Sequence, residues 1–570
     1  MSDSKAGRLA DNVHRTGTAA FRKRQPIVTS MNIGRTEKES AEYDVLIVGY
    51  GPTGASIANL LGKRGYRVAV FDQAGEIYDK PRAITADQEV MRVFQECGLA
   101  DEIAAATTPH PGTDFLGIDG QVIKRFYPAP PPHPLSWEPT WMFVQPELEA
   151  TLRRGVARYP QVREFLRHEC LDFTQSGETV SARLRRLDDG AEITMRGRYL
   201  IGCDGGRSVV RRALGARIED LAFDEWWIVV DAWIRGPVEL PPRCAQFCRP
   251  WRPGTYMVGP GNLRRWEIKM LPGEKPEDFE SRDAVLKVLG SFVDTTHLEL
   301  CRTAIYRFHA LVVEQWRSGR VFLAGDAAHQ TPPFLGQGLS AGIRDAINLV
   351  WKLDGVERLG YADSLLDTYG EERKPHVRTI VAHAKAFGLI IGELDMQAAQ
   401  RRDRELSEQL ASGKAETVRQ KFIPGLDSGL IGRDRDGHRH RGAGELFVQP
   451  WVHRGDEPRR FDDLFEPGFL FVAGSKTALG WFDADMMQAW QRLHGQLVLI
   501  EPAGFAPAAG AELFVSLQER DGLFRDWLAA TGAQAVIVRP DRYVYGAVAD
   551  AQELRGLLAQ LSQAVWPAPG

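Results

Sequence analysis

The chain has 570 residues, 44% of them apolar and 26% charged, and its 71 basic and 75 acidic residues leave a net charge of −4. At roughly 100–200 residues per domain, this length predicts two to four structural units, and the composition excludes a disordered chain. The near-neutral balance gives no general attraction to nucleic acid, and no uncharged apolar stretch approaches the roughly 18–20 residues that span a bilayer, so neither nucleic acid nor membrane is an expected partner.

Residues 1–42 show neither helical nor strand periodicity and no apolar run of signal-peptide type, and they read as a disordered leader. A buried-strand run begins at Tyr43 and continues through Asp44-Val45-Leu46-Ile47-Val48. Directly after it comes Gly49-Tyr50-Gly51-Pro52-Thr53-Gly54, followed by Ala55, Ile57, Ala58 and Leu61 at helical spacing. In such a turn the first glycine permits the bend, the second lets a pyrophosphate approach the backbone, and the third allows close helix–strand packing. The helix N-terminus then offers free N–H groups to that pyrophosphate. A second strand, Arg67-Val68-Ala69-Val70-Phe71, ends at Asp72, 18 residues past the third glycine, where a carboxylate can accept from ribose hydroxyls. Strand, turn, helix and acid together predict a dinucleotide site, with NAD and FAD both open at this point.

Further along, Pro128–Pro134 is a proline cluster too short for an independent rod. Between Leu221 and Tyr306 the apolar pattern shortens and alternates, which predicts an antiparallel sheet inserted into an α/β chain. A long helical stretch follows Ala341, a charged, glycine-rich stretch over 427–441 has the composition of a linker, and strand candidates at 497–500 and 535–538 predict a separate small α/β unit. The six cysteines (Cys97, Cys170, Cys203, Cys244, Cys248, Cys301) are too few for a disulfide scaffold and lack zinc-ligand spacing, so they are expected as reduced thiols in a cytoplasmic protein without a metal site.

Two later segments choose between the dinucleotides. Residues 200–211 contain Gly202-Cys203-Asp204-Gly205-Gly206, and residues 321–329 read Val-Phe-Leu-Ala-Gly-Asp-Ala-Ala-His. Each is a short apolar strand that ends in a carboxylate beside glycine, which can reach a ligand lying across the sheet edge. With the first motif and in this order, over roughly residues 43–400, the chain resembles the single-component FAD-dependent aromatic hydroxylases. The resemblance implies that Gly49, Gly51, Pro52, Thr53, Gly54 and Asp72 hold the adenosine and pyrophosphate of FAD. It further implies that Gly325 and Asp326 meet the ribityl or ribose hydroxyls, that Asp204 serves FAD and the nicotinamide donor together, and that Arg82 and Gln145 face the cofactor. After the third motif, Thr331 to Ala346 form a proline- and glycine-rich loop that runs into a helix near Ser340. Bare backbone can lie against a flat ring, and its N–H groups can stabilise negative charge on a reduced flavin. The family arrangement gives this role to Pro333, Gly336, Gly338, Leu339 and Ser340, with Pro333 and Gly336 lining the flavin face. No side chain is assigned a catalytic role, and His329 reads equally well as a structural group beside the cofactor.

The fold implied is a Rossmann-like FAD-binding domain (43–110, 141–220 and 306–426, the last with a long helix) and an inserted antiparallel substrate domain (111–140 and 221–305). Beyond the linker, residues 442–570 resemble the thioredoxin-like domain of phenol and hydroxyphenylpropionate hydroxylases, with Arg539-Pro540-Asp541-Arg542-Tyr543-Val544 at a strand entry. No cysteine lies beyond Cys301, so dithiol exchange is excluded there and packing or homodimer formation is the expected role. No second glycine motif is present, so NADH or NADPH is expected to bind transiently. The implied reaction uses O2 through a flavin C4a-hydroperoxide to hydroxylate a phenolic acid ortho to its hydroxyl. Arg243, Arg249, Arg252, Arg264 and Arg265 are the candidates for holding the carboxylate. The alternatives are a hydroxylase of bulkier polyketide or antibiotic substrates, an FAD-dependent reductase that does not activate oxygen, and a non-catalytic FAD-binding protein.

Overall fold

The computed structural model describes residues 42–80, 82–454, 457–502 and 513–566. All but the last residue of the expected leader lies outside these, as does Pro81 beside Arg82.

The run Val45-Leu46-Ile47-Val48 is buried throughout because it forms the centre of a parallel sheet covered on both faces. In that sheet Tyr43–Val48 lies between Val68–Asp72 and Glu192–Gly202, with Val162–Leu166 beyond the first and Val321–Leu323 beyond the second. The register sets the site. Val48 stands opposite Gly202 on one side and Phe71 on the other, and Gly202 stands opposite Leu323. The three motif loops and Asp72 therefore leave neighbouring strands at one carboxyl edge, although they are spread over more than 270 residues of sequence.

The inserted sheet runs in the order His329–Gln330, Leu298–Val313, Ile218–Ile234, Leu263–Lys269, Gly254–Val258, Cys244–Phe247, Thr113–Leu116, Val122–Phe126. Its pairs are antiparallel except Cys244–Phe247 with Thr113–Leu116. Behind the parallel sheet, Pro52–Lys63 packs on the long helix Gly338–Arg358, and Gly342 makes the approach possible. A Cβ at Gly342 would lie 2.3 Å from Thr53 Oγ1.

In the C-terminal unit, Leu470–Ala473 pairs in parallel with Gln496–Glu501 and antiparallel with Ala535–Val538, which continues into Val544–Val548, and the helix Ala551–Val565 follows. This is the thioredoxin-like order expected of the tail. The stretch 427–441 is hydrogen-bonded to this unit: Gly432 N–H donates to Tyr545 O at 2.7 Å, and Leu430 and Ile431 are buried.

A buried polar seam joins the tail to the rest. Arg539 donates to Glu372 and Asp541 (2.6–3.0 Å), and Lys352 lies 2.8 Å from Glu372. Asn348 and Trp351 of the long helix donate to Asp541 at 3.0 Å. Nearer the helix start, Arg344 pairs with Asp87 and Glu89, and Tyr543 Oη donates to Glu89 at 2.8 Å. The tail thus braces the helix whose first turn enters the cavity described next.

Candidate active site

One cavity of about 940 Å3 runs from the three motif loops to the inserted sheet. Of the residues expected at the cofactor, all but Gly54, Gly325 and Ser340 line it. Those three stand behind its wall. A Cβ at Gly54 would lie 2.0 Å from Gly49 O, Gly325 (φ +60°) lies against Thr53, and Ser340 is fully buried.

At one end, Gly49 adopts φ +101° and presses on Cys203 O, where a Cβ would come within 2.3 Å. Gly51 caps the first helix and faces open space, with nothing within 4 Å of a built Cβ. Asp72 accepts from Tyr50 N–H at 2.7 Å and Ala74 N–H at 2.8 Å, which fixes the turn around the loop. Asp204 is held more tightly than expected. It accepts from Ser208 Oγ at 2.5 Å and from the N–H groups of Val209 and Val210, so much of its hydrogen-bonding capacity caps a short helix. Gln145 is likewise engaged, accepting from Ala83 N–H and donating to Glu149, each at 2.5 Å. Arg82 is half exposed and donates to the same Glu149 at 3.1 Å.

Asp326 differs from these. Its carboxylate opens into the cleft, exposed rather than sealed in the core, and accepts no hydrogen bond from any described residue, while the protein wall around it pushes it above the usual carboxylate range. The buried hydroxyls of Thr331 and Ser340 also lack partners among the described residues. Gly336 (φ +58°) turns the loop, and a Cβ there would meet Thr85 and Arg419, while a Cβ at Gly338 would meet nothing within 4 Å. His329 is structural: its Nε2 lies 2.7 Å from the buried Asp345, which also accepts from Gly325 N–H and Arg373. Burial alone would raise Asp345, but His329 and Arg373 outweigh it and hold the carboxylate down.

The far wall is one face of the inserted sheet. Cross-strand register puts Gln246, Thr255, Glu267 and Val229 in one row, and Met257, Arg265, Asp231 and Arg302 in the next. Burial raises Glu267, with Arg265 opposing it. Of the five arginines named from the sequence, Arg265 alone lines the cavity, and its Nε and Nη2 donate to Asp231 at 2.7 and 3.1 Å. Arg252 pairs with Glu274, Arg264 bonds to backbone carbonyls, Arg249 lies over Phe247 and Phe292, and Arg243 reaches Asp114. All four point elsewhere because strand alternation and loop position direct them away from the cavity face.

Several lining residues carried no assignment from sequence. Glu149 and Arg153 follow Gln145 at i+4 and i+8 on one helix, a periodicity that could have pointed to them. Arg153 donates to Tyr50 O at 3.1 Å and covers its ring. Behind the wall, buried Arg211 ties the second motif to the third, donating to Gly206 O and Ala327 O. Arg302, Tyr306 and Arg419 also line the cavity, brought there by long-range packing without any local signal.

These residues fit FAD. An open helix N-terminus at Gly51, an acceptor without a donor at Asp326 and bare backbone at Gly338 suit, in that order, a pyrophosphate, a polyhydroxyl chain and a flat ring.

The family model described as FAD binding domain matches residues 42–384, and one described as HcaD C-terminal domain matches 444–564. A probable NADH-specific resorcinol 4-hydroxylase of Rhodococcus jostii (strain RHA1) is 35% identical over 92% of this chain and 96% of its own length. A 3-(3-hydroxy-phenyl)propionate/3-hydroxycinnamic acid hydroxylase of Comamonas testosteroni is 31% identical over 91% and 96%. Among solved structures, the flavin-dependent monooxygenase PieE with FAD and substrate superposes with a TM-score of 0.76 at 21% identity, covering 92% of this chain and 100% of that one. Aklavinone-11 hydroxylase with FAD and aklavinone gives 0.73 at 25% identity, covering 91% and 99%. With the motif loops gathered at one sheet edge and both family models matched in order, the chain belongs to the FAD-dependent aromatic hydroxylases.

Proposed function

We propose that the protein hydroxylates a phenol carrying a carboxylate side chain, adding the new hydroxyl ortho to the existing one, with NADH as electron donor. The observation that carries this reading is the single cavity joining the three motif loops to a polar sheet face that bears Gln246, Thr255, Glu267 and Arg265. A small aromatic ring against that face would lie within reach of a flavin on the loop. The relatives named as resorcinol and hydroxyphenylpropionate hydroxylases support a phenolic ring, and the NADH-specific name supports the donor.

The chemistry that FAD supplies when bound is acceptance of a hydride and activation of dioxygen. The chain's part is binding and environment. Asp326 accepts from the cofactor's hydroxyls, and the N–H groups at the start of Gly338–Arg358 stabilise negative charge on the ring system. Phe115, Val229, Met257 and Phe334 give an apolar wall that excludes water from the reacting atoms. The assigned cofactor contacts are Gly49, Gly51, Pro52, Thr53, Asp72, Arg82, Gln145, Asp204 and Asp326 around the adenosine, pyrophosphate and ribityl parts, with Pro333, Gly336, Gly338 and Leu339 at the ring. All six cysteines are unpaired, and no helix among the described residues is long and apolar enough to cross a membrane. Both support a cytoplasmic site of action.

The test is a panel of hydroxyphenyl acids, resorcinol and polycyclic phenols, scored for stimulated NADH oxidation and for product. Hydroxylation of the acids is the expected result. Turnover of polycyclic phenols alone would overturn the substrate assignment.

A further inference from the structure

Arg419 is a cavity-lining guanidinium with no carboxylate partner among the described residues. Its backbone is clamped: Tyr127 N–H donates to Thr417 O at 2.8 Å, and Arg419 N–H donates to Tyr127 O at 3.1 Å. The side chain, 7% exposed, donates to Leu335 O beneath the loop, in space that only a glycine at 336 leaves open. Every titratable neighbour is neutral or already engaged. Asp87 is paired with Arg344. Burial and Arg419 itself push His110 well below its ordinary value, and its Nδ1 accepts from Gly112 N–H at 2.9 Å. Burial pushes the Cys244 thiol up to about 11. The Tyr127 hydroxyl donates to Asp114 at 3.1 Å. Arg265 and Arg302, by contrast, share the buried Asp231. A desolvated cation without a counter-ion is costly, so this one is suited to an anion brought by a ligand.

Its position selects the anion. Leu335 belongs to the loop that, in the function proposed above on which this inference rests, lies against the flavin. In ortho hydroxylation the atom attached beside the reacting carbon is the phenol oxygen, whereas a side-chain carboxylate lies several bonds away. We propose that Arg419 receives the phenol oxygen of the substrate and holds it as the phenolate. On binding, the phenol O–H bond breaks, its electron pair stays on oxygen and the proton passes to water. The added electron density at the ortho carbon favours attack by an electrophilic oxygen.

The test uses the FAD-loaded protein and 4-nitrophenol, whose phenolate is coloured and whose neutral form is not. In the wild type the bound phenol should ionise at least one pH unit below the free compound. Arg419→Met should abolish that shift and weaken phenolate binding by about tenfold to a hundredfold. Arg419→Lys, which keeps charge but not the fork, should retain part of it. An undiminished shift in either variant at equal FAD content overturns the inference, and the lysine variant serves alone if the methionine variant does not fold. So does loss of preference for 3-(3-hydroxyphenyl)propionate over its amide with phenol ionisation unmoved, because the guanidinium would then serve the carboxylate. Unshifted ionisation in a wild type that still oxidises NADH in response to phenols refutes this inference alone. A wild type that neither binds phenols nor responds to them refutes the function itself.

Discussion

Substitution of Asp326 separates a ligand-binding carboxylate from a structural one. A carboxylate bonded within the fold stabilises the protein, and its loss lowers stability. Asp326 has no donor among the described residues and is exposed to the cleft, so in the apo-protein its charge adds no stability, and its raised value opposes folding only weakly once it is ionised. The sign follows from linkage. A folded-state value raised above the unfolded one gives stability that is present below about pH 4 and is lost as pH rises through the folded value. Asp326→Asn should therefore leave the apo-protein at least as stable at pH 7. The same change removes a charged acceptor from the cofactor's hydroxyls. One such hydrogen bond contributes about 1.5–3 kcal/mol, so FAD affinity should fall about tenfold to over a hundredfold. Flavin-fluorescence titration gives the affinity, and thermal melts of stripped protein give the stability. Equal FAD affinity in wild type and variant, or a clear loss of apo stability with affinity intact, would refute the assignment.

Gly51→Ala should fold normally, because its Cβ meets nothing, yet bind FAD much more weakly, whereas Gly54→Ala should destabilise the fold itself, because its Cβ would lie 2.0 Å from Gly49 O; melts with and without FAD distinguish the two. Arg539→Met leaves Glu372 and Asp541 short of their buried partner and should cost about 3–5 kcal/mol in urea unfolding; a loss under 1 kcal/mol would show that the seam is not needed to brace the tail. Burial pushes Cys97, Cys170 and Cys248 up to about 12, so these thiols should react slowly with Ellman's reagent at pH 8 until the protein is unfolded. Their raised values also predict stability that is full below about pH 9 and declines as pH rises towards 12.

The motif-loop half of the cavity was legible because each motif is local. A buried strand, a glycine turn and a helix start within a dozen residues carry their own geometry, and three such units were recognisable in order. Asp204 shows the limit of that reading, since the local pattern locates the carboxylate but not the helix it caps. The half walled by the inserted sheet was less legible. Arg265 could not be told from Arg264 until strand register assigned one to the cavity face. Arg419 reaches the site through a bridge between Val418 and Tyr127, nearly 300 residues apart in sequence, which no periodicity encodes. The tail's fold was readable from its two apolar strands, but Arg539, Asp541 and Tyr543 gave no sign that they face the long helix.

Incubation of the FAD-loaded protein with NADH, 18O2 and 3-(3-hydroxyphenyl)propionate, with mass analysis of the aromatic product, tests the proposed hydroxylation directly. The expected product is a catechol acid with one 18O atom in its new hydroxyl, with NADH oxidation that rises when the phenol is added. A protein that takes up and reduces FAD but yields no labelled phenol from this or any ring in the panel would contradict that proposal.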